Sequence, residues 1–370
     1  MQKRGCVESV ANSITNRQMF FILILTLTSY TSIDFPKTVA QSAGRSGWIL
    51  ILAAALVFGC AAAVIVTLNN RFQGKVMFDY SQEIAGSLAS RLIAVYYILY
   101  FVVVGVYLKI RLVNYLSSNF LPKTPQAVML AISVTLFAFV SFKGITNVAR
   151  LFELYGFAFL LTTIVICAIM LPQGMIYNIR PLINPNEIKE FPAAIPKFLF
   201  PYGGIEVLLI VPFAKHNKKA ALTAFLTLIF IGFFYVLVVE STISILGINN
   251  TTFYSDSFIE AVKVVDIPII ERTDIFYLTV GLTSLFSGMI MVFLAVLEFA
   301  CRLFVKINRH VMTIVCGVVL YALCLFALGI KDITDVLDAC APYMVLASSI
   351  LLPVTLLILA KAKEKRGGTS

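Results

Sequence analysis

The stretch Phe198-Leu199-Phe200-Pro201-Tyr202-Gly203-Gly204-Ile205-Glu206 lies within a long apolar run, yet it is not typical of a continuous helix. Proline lacks the N–H that a helix needs, and tandem glycines weaken a helix. An earlier apolar run contains a comparable stretch, Leu27-Thr28-Ser29-Tyr30-Thr31-Ser32-Ile33-Asp34-Phe35-Pro36, with hydroxyl groups, an acid and a proline. Backbone freed inside a membrane is tolerated only where protein or a cavity satisfies it. Both stretches therefore predict interrupted helices beside a site, and ordinary kinks are the alternative reading.

The composition predicts an all-α integral membrane protein. Sixty per cent of the 370 residues are hydrophobic and 13% are charged, whereas soluble domains have roughly 45–50% and 25%. A membrane-spanning helix needs about 20 apolar residues. Segments of this kind use most of the chain, so residues 1–370 are expected to form a single polytopic domain. Ten transmembrane helices are predicted, at approximately 16–43, 47–70, 91–117, 125–142, 145–172, 192–214, 219–246, 273–300, 311–330 and 336–361.

The distribution of basic residues predicts the orientation. The net charge is +10, and 18 of the 29 Lys and Arg residues lie in the two tails and in the loops on the same side as the tails. Basic loops face the cytoplasm in membrane proteins. We therefore expect a multi-pass membrane protein with both termini cytoplasmic. The basic excess is expected to contact membrane lipid and not nucleic acid.

The two interruptions lie five predicted helices apart. Helices separated by an odd number cross the membrane in opposite directions. Interrupted helices at corresponding places in two halves indicate an inverted-repeat transporter fold. The expected repeats cover approximately 15–172 and 192–361. The local pattern Tyr30-x-x-Ile33-Asp34 in the first repeat matches Tyr202-x-x-Ile205-Glu206 in the second.

Sequence motifs of enzymes are absent. The chain contains no HExxH, Walker A or GxSxG string, and it has only two histidines. Its seven cysteines form no CxxC pair and lie mostly in apolar runs, so we expect small buried hydrophobes and not disulfide bridges. The expectation is a protein that is not an enzyme and that uses no metal and no cofactor.

Several strings occur in a fixed order along the chain. They are Ile14-Thr15-Asn16-Arg17-Gln18, Phe120-Leu121-Pro122-Lys123-Thr124-Pro125, Gly144-Ile145-Thr146-Asn147-Val148-Ala149-Arg150 with Glu153, Phe200 to Glu206 with Pro212-Phe213, and Ile270-Glu271-Arg272-Thr273-Asp274. In this order, on ten predicted helices, the chain resembles the B subunits (GerAB-type) of bacterial spore germination receptors. That family is a branch of the amino acid–polyamine–organocation (APC) transporter superfamily.

The resemblance implies a LeuT/APC-like 5+5 inverted repeat in which helices 1 and 6 are discontinuous. It also implies a nutrient-germinant-sensing subunit in the spore inner membrane, with A- and C-type germination receptor subunits as partners. The alternative is a proton- or sodium-coupled amino-acid transporter. No output domain is visible in this chain, which agrees with separate partner subunits.

The resemblance places a small solute, such as an amino acid, at the two breaks. Its carboxylate would face the N–H groups around Thr31–Ile33, and its ammonium would face the carbonyl groups near Phe200–Gly203. The sequence departs from the family's glycine-rich first break, which is replaced by residues 28–32. The candidate substrate-binding residues are Tyr30, Thr31, Ser32, Ile33, Asp34, Tyr97, Phe200, Tyr202, Gly203, Gly204, Glu206, Thr283 and Ser287.

Acidic side chains within the apolar runs are costly and usually functional. Asp34 is expected either to bind a cation or an ammonium group, or to act as a protonatable switch; the alternative is an N-cap with Pro36 in the first turn. Glu206 is expected to order the unwound backbone or carry a proton, or else to pair within the bundle. Glu298 lies near a helix end and is expected to reach water, and Glu153 is expected to pair with Arg150.

Overall fold

The computed structural model describes residues 14–31, 34–72, 75–213, 219–265, 273–330 and 333–367. Within these ranges the chain is helical, apart from connections and an isolated bridge between Ile14 and Phe213. The α-helices are α1 Asn16–Thr31, α2 Phe35–Ala43, α3 Gly47–Arg71, α4 Met77–Ala85, α5 Ser87–Asn119, α6 Gln126–Phe142, α7 Ile145–Gln173, α8 Ile176–Ile179, α9 Pro185–Lys189, α10 Phe191–Leu199, α11 Ala220–Phe253, α12 Ser257–Val264, α13 Thr273–Leu303, α14 Arg309–Leu328, α15 Ile333–Leu346 and α16 Leu352–Gly367.

Eight helical stretches among the described residues are long and apolar enough to cross a membrane. They are Phe35–Arg71, Ser87–Ser118, Ile145–Gln173, Phe191–Ile210, Ala220–Phe253, Gly281–Leu303, Arg309–Leu328 and Ile333–Glu364. Two of the ten predicted spans correspond to shorter helices, α1 with 16 residues and α6 with 17. The chain is therefore a multi-pass helical membrane protein, and the count of ten spans stays a prediction.

Helix α1 occupies the interior of the bundle. Every residue from Phe21 to Thr31 is buried, and α1 packs against α7, α11 and α13. The helix ends at Thr31, and the next helix, α2, begins at Phe35. Ser32 and Ile33, two of the predicted site residues, lie outside the described residues. The polar end of a buried helix thus coincides with the first predicted interruption.

The second predicted interruption is present between residues 199 and 211. Helix α10 ends at Leu199 and is followed by two 3-10 segments, Phe200–Tyr202 and Ile205–Ile210. Gly204, between them, has a φ angle of 98°, a conformation that residues with a Cβ rarely adopt. The tandem glycine in the sequence therefore marks the place where regular α-helical structure stops.

A third irregularity was not predicted. Residues Ala347–Leu351 form a π-helical segment between α15 and α16, within the predicted tenth span. Such wide turns are rare and often lie at functional sites. The segment presents Ser348 and Ser349, both buried, to the interior of the bundle.

The end of the bundle at which α1 finishes is called the distal end here. It carries residues 174–190, which are held to the α2–α3 junction by side-chain hydrogen bonds. Arg45 Nε donates to the carbonyl of Asn178 at 2.8 Å, and Ser46 Oγ donates to the carboxylate of Glu187 at 2.7 Å. The connection between α2 and α3 is thereby fixed over the distal end.

Three sequence expectations are wrong at the opposite end and nearby. Glu298 is buried and pairs with Arg302 and Arg309 instead of reaching water. Glu153 pairs with Arg17 of α1 and not with Arg150, because α1 and α7 pack side by side. Cys301 is disulfide-bonded, whereas the other described cysteines, Cys60, Cys167, Cys316, Cys324 and Cys340, are free as expected.

Candidate functional site

A cavity of about 600 Å³, the distal cavity, lies where α1 and α2 meet α5, α10 and α15. Its wall contains carboxylates, cationic groups and aromatic rings. Four of the predicted site residues line it, namely Tyr30, Thr31, Asp34 and Phe200. The charged residues along its wall are Asp34, Lys37, Arg111, Lys197 and Asp338.

Four of the lining side chains form a connected group, called the charge cluster here. Arg111 of α5 forms an ion pair with Asp34, between α1 and α2. The Arg111 guanidinium also lies 5.0 Å from the ring centroid of Tyr107. The Tyr107 hydroxyl donates a hydrogen bond to the carboxylate of Asp338, on α15. The cluster therefore joins three separate parts of the bundle along one edge of the cavity.

The capping interpretation of Asp34 is wrong in this structure. Asp34 stands at the N-cap position of α2, and Pro36 lies in the first turn, but the Asp34 side chain makes no capping hydrogen bond. Its carboxylate pairs with Arg111 instead, and about a quarter of each side chain, 26%, is exposed. Arg111 therefore supplies a positive charge beside Asp34, which reduces the repulsion between the Asp34 carboxylate and the carboxylate of a ligand.

Sequence reasoning missed Tyr107, Arg111 and Asp338. Arg111 lies inside the predicted third span and Asp338 inside the predicted tenth, where a charged residue is expensive unless it is paired or functional. That cost is the signal by which both residues can be found from sequence. Their partners, Asp34 for Arg111 and Tyr107 for Asp338, are a property of the fold, since each partner is distant in the chain.

Aromatic rings separate the distal cavity from the tandem glycine of the second break. The Tyr30 and Phe200 ring centroids are 5.3 Å apart, and those of Tyr107 and Phe200 are 5.0 Å apart in an edge-to-face arrangement. A Cβ built on Gly203 would lie 2.9 Å from the ring of Tyr30. The space beside the tandem glycine is thus filled by Tyr30, and the open volume lies on the distal side of these rings.

Beneath the rings, Glu206 is fully buried and satisfied. Its Oε2 accepts a hydrogen bond from the backbone N–H of Gly204 at 2.6 Å. Its Oε1 accepts from Tyr100 at 2.7 Å, Ser349 at 2.5 Å and Ser348 at 3.1 Å. Glu206 therefore orders the interrupted backbone, one of the two roles predicted for it, and ties that backbone to α5 and to the π-helical segment.

The remaining predicted residues lie in packing positions away from the distal cavity. The Tyr97 hydroxyl donates to the carbonyl of Ser348 at 2.8 Å, and the Tyr202 hydroxyl donates to the carbonyl of Ile51 at 2.7 Å. The Ser287 hydroxyl donates to the carbonyl of Thr283 at 2.5 Å, and it forms a second hydrogen bond with the Tyr155 hydroxyl at 3.0 Å. Tyr202, Gly203, Gly204 and Glu206 belong to the second break, below the aromatic rings.

A multi-pass helical membrane protein with an interrupted span beneath a charged, solute-sized cavity is the class that this geometry defines. The chain belongs to the spore permease family, whose model, described as spore germination protein, matches residues 13–328. This match confirms the resemblance found in the sequence.

Curated relatives from Bacillus subtilis (strain 168) cover most of the chain. It is 24% identical to Spore germination protein B2 over 273 residues, 72% of this chain and 73% of the relative. It is 24% identical to Spore germination protein YndE over 295 residues, 78% of this chain and 80% of the relative. It is 22% identical to Spore germination protein KB over 368 residues, 95% of this chain and 96% of the relative.

Proposed function

We propose that this chain is the nutrient-germinant-sensing subunit of a spore germination receptor, and that it binds a small polar solute such as an amino acid in the distal cavity. The family supports the role in spore germination. The observation that carries the proposal of a binding site is the charge cluster, which offers carboxylates and a guanidinium to one cavity of suitable size. Pockets for small ligands generally combine apolar walls with a few placed polar groups.

An amino acid zwitterion can exchange partners with this cluster. Its carboxylate can replace Asp34 on the guanidinium of Arg111, which binds carboxylates in a bidentate manner. Its ammonium can then take up the freed carboxylate of Asp34, or that of Asp338. No charge is left unpaired in this exchange. The new ion pairs therefore offset the free-energy cost of removing the charged groups of the ligand from water.

The same exchange supplies a signal. Asp34 follows α1, Arg111 belongs to α5 and Asp338 belongs to α15, so a ligand that changes their pairing changes the contacts between these helices. Below the cluster, Tyr30 packs against Phe200 and Glu206 links the interrupted segment to the π-helical segment. Ligand binding shifts a conformational equilibrium only through such differential contacts.

The proposed architecture is one polytopic domain with ten spans, in which α1 and α6 also cross the membrane. The proposed inverted repeats are 15–172 and 192–361, with the breaks at corresponding places in helices 1 and 6. Both termini are proposed to be cytoplasmic, in the spore inner membrane. A- and C-type germination receptor subunits are the proposed partners, and the support for them is the family membership.

The second candidate is a proton- or sodium-coupled amino-acid transporter, which the interrupted helix at Gly203 and Gly204 favours. A paired experiment separates the two functions. The purified full chain is titrated with alanine, glutamate, lysine and glucose, and uptake of the same solutes is measured in reconstituted vesicles. Saturable binding without uptake is expected for a sensor. Uptake driven by a proton or sodium gradient would assign the transporter function instead, and binding of none of the amino acids would contradict the proposed site.

A matched pair of variants tests the position of the site. Asp338→Asn removes a carboxylate from the wall of the distal cavity, whereas Asp335→Asn makes the same change one turn earlier at an exposed position outside the lining. Amino acid affinity is expected to fall in the first variant and to stay unchanged in the second. Unchanged affinity in both variants would exclude a contact between the solute and Asp338, and unchanged affinity in Asp34→Asn as well would exclude the distal cavity as the binding site.

A further inference from the structure

An apolar groove runs between α6 and α14 and shares no lining residue with the distal cavity. It encloses about 490 Å³ and is called the lateral groove here. Exposed apolar side chains form part of its walls, including those of Phe139, Ile314 and Val318. Its lining residues are Ala131, Val134, Thr135, Ala138, Phe139, Phe142, His310, Thr313, Ile314, Gly317, Val318 and Tyr321.

The length of the lateral groove matches one leaflet of a bilayer. On each helix the lining runs over 11 residue steps, from 131 to 142 and from 310 to 321, which is roughly 16 Å at the rise of an α-helix. The hydrocarbon core of a bilayer is about 30 Å thick. A groove of this depth suits a chain that enters from one membrane surface and ends near the middle.

The surface end of the lateral groove is basic. His310 lines it and lies against Phe142, with ring centroids 4.4 Å apart. Lys143 follows Phe142, is exposed, and has its Nζ 5.2 Å from the ring centroid of Phe139. Residues 139–150 and 303–314, which form this end, include four Lys and Arg residues and no acidic residue.

One of these four basic residues is already neutralised. Arg309 pairs with the buried carboxylate of Glu298 at 2.8 Å. Lys143 and Lys306, by contrast, are exposed. The end of the groove therefore presents net positive charge, together with the imidazole of His310, at the level where lipid headgroups lie.

We propose that the lateral groove binds an anionic phospholipid, with an acyl chain lying between α6 and α14 and the phosphate contacting Lys143 and His310. Basic pockets between transmembrane helices bind anionic headgroups in this manner. Gly317 provides the room for the chain, because a Cβ placed there would meet only Val134, at 3.8 Å. A transmembrane helix of a partner subunit is the other possible occupant, and it fits less well because a crossing helix needs a surface through both leaflets.

The test uses the full-length protein, delipidated in detergent and titrated with phosphatidylglycerol or with phosphatidylcholine of identical acyl chains. Bound lipid is counted by native mass spectrometry. Phosphatidylglycerol is expected to bind more tightly than phosphatidylcholine. Lys143→Gln is expected to weaken phosphatidylglycerol binding about fivefold, the effect of one basic charge near a membrane surface. It is expected to weaken phosphatidylcholine binding less, because the choline cation balances the charge of that lipid's phosphate.

Two further variants separate the headgroup from the chain. Gly317→Leu fills the groove and is expected to abolish the tight site for both lipids, while Val315→Leu, on the same helix but outside the lining, is expected to preserve it. Arg150→Gln is the charge control, since Arg150 is exposed nearby but does not line the groove. Lys143→Gln keeps the packing of the groove, so its result stands even where Gly317→Leu fails to fold.

Equal binding of the two lipids, or equal effects of Lys143→Gln and Arg150→Gln, would overturn the proposal. A photocrosslinker at Ile314 distinguishes the other occupant. Crosslinks to lipid in native membranes support the proposal, whereas crosslinks to a protein would assign the lateral groove to a partner helix. Neither result depends on nutrient binding in the distal cavity.

Discussion

The carboxylate of Glu206 accepts a hydrogen bond from the backbone N–H of Gly204, with 2.6 Å between Oε2 and the nitrogen. An N–H freed by a helix break inside a membrane is costly unless protein satisfies it. Glu206 performs that role from two residues further along the chain, while its other oxygen accepts hydrogen bonds from three hydroxyl groups. The break and the residue that stabilises it are therefore encoded in the same short segment.

Glu206→Gln should destabilise the protein, because it replaces one carboxylate oxygen by an NH2 group that cannot accept a hydrogen bond. Either the N–H of Gly204 or the hydroxyl groups of Tyr100, Ser348 and Ser349 then face a donor. A buried unsatisfied group costs about 1–3 kcal/mol. Thermal unfolding in detergent measures the loss.

Glu240→Gln provides the matched control. Glu240 also lies within a span, on α11, but its carboxylate oxygens have no hydrogen-bond partner among the described residues. The same chemical change should leave the unfolding temperature equal or raise it there. A Glu206→Gln protein that unfolds at the wild-type temperature would contradict the stabilising role of Glu206.

Gly288→Ala tests the packing of α1 against α13. A Cβ at Gly288 would stand 1.5 Å from Oγ of Ser29, which itself donates to the carbonyl of Thr26 at 2.6 Å. Since that position is occupied, α1 must shift, and overpacking of this kind costs about 1–3 kcal/mol. A lower unfolding temperature is expected, together with weaker ligand binding, because α1 carries Tyr30.

Gly317→Ala is the corresponding control on α14, where the nearest atom to an added Cβ is 3.8 Å away. The helix gains about 0.5–1 kcal/mol from replacing glycine by alanine, so this variant should be at least as stable as wild type. Similar unfolding temperatures for the two alanine variants would mean that α1 and α13 are not in close contact at Gly288.

The fold was more accessible from sequence than the site. Proline, tandem glycine and the Thr-Ser-Tyr-Thr-Ser run act on the backbone of the helix in which they lie. The ends of α1 and α10 could therefore be predicted from neighbouring residues. The partner of Asp34 could not, because Arg111 is 77 residues away and comes close only when α5 packs beside the α1–α2 junction. The π-helical segment Ala347–Leu351 does have a local signal, because Pro353 has no N–H to donate to the carbonyl four residues earlier, but sequence reasoning missed it.

The interior carboxylates show the same limit. Local spacing suggested that Glu153 pairs with Arg150 and that Glu298 reaches water, whereas tertiary packing gives Glu153 to Arg17 and buries Glu298 against two arginines. Helical spacing finds neighbours on one helix. It carries no information about which helices pack together, and that packing decides the partners of a buried charge.

Glu298→Gln should be among the most destabilising single changes in the chain. Glu298 pairs with Arg302 at 2.5 Å and with Arg309 at 2.8 Å, and all three side chains are largely buried. Removing one partner of a buried ion pair costs about 3–5 kcal/mol, because the remaining charges stay buried without compensation. Chemical or thermal unfolding in detergent measures the effect.

The control is Glu260→Gln, which removes the partner of Lys263 from the partly exposed pair on α12. Pairs of that kind contribute about 0–1 kcal/mol. Comparable losses at Glu298 and Glu260 would show that water reaches the Glu298 cluster and that its charges are not buried in the native protein.

The proposed topology predicts which positions are accessible from outside the membrane. On a background with the exposed Cys60 and Cys340 replaced by serine, Asn186→Cys and Ser255→Cys should react with a membrane-impermeant maleimide in intact cells. Glu364→Cys should react only after the membrane is permeabilised. Labelling of Glu364→Cys in intact cells would contradict cytoplasmic tails.

Asp34→Asn should change which solutes the protein prefers. The substitution preserves the size of the side chain but removes the negative charge that pairs with Arg111. Arg111 then becomes more available to the carboxylate of a ligand, while a cationic ligand loses an attractive group. A hydrogen bond between charged groups contributes about 1.5–3 kcal/mol, so the affinity ratio of glutamate to lysine should rise about tenfold or more.

Asp335→Asn serves as the charge control, because Asp335 is an exposed acid on α15 outside the lining of the distal cavity. A general electrostatic effect would shift the ratio equally in both variants, whereas direct pairing shifts it only in Asp34→Asn. Arg111→Gln should shift the preference in the opposite direction, since it removes the group that binds a carboxylate and leaves the Asp34 carboxylate free for an ammonium group. An unchanged ranking of glutamate, alanine and lysine in both Asp34→Asn and Arg111→Gln would mean that the charge cluster holds the helices together without contacting the solute.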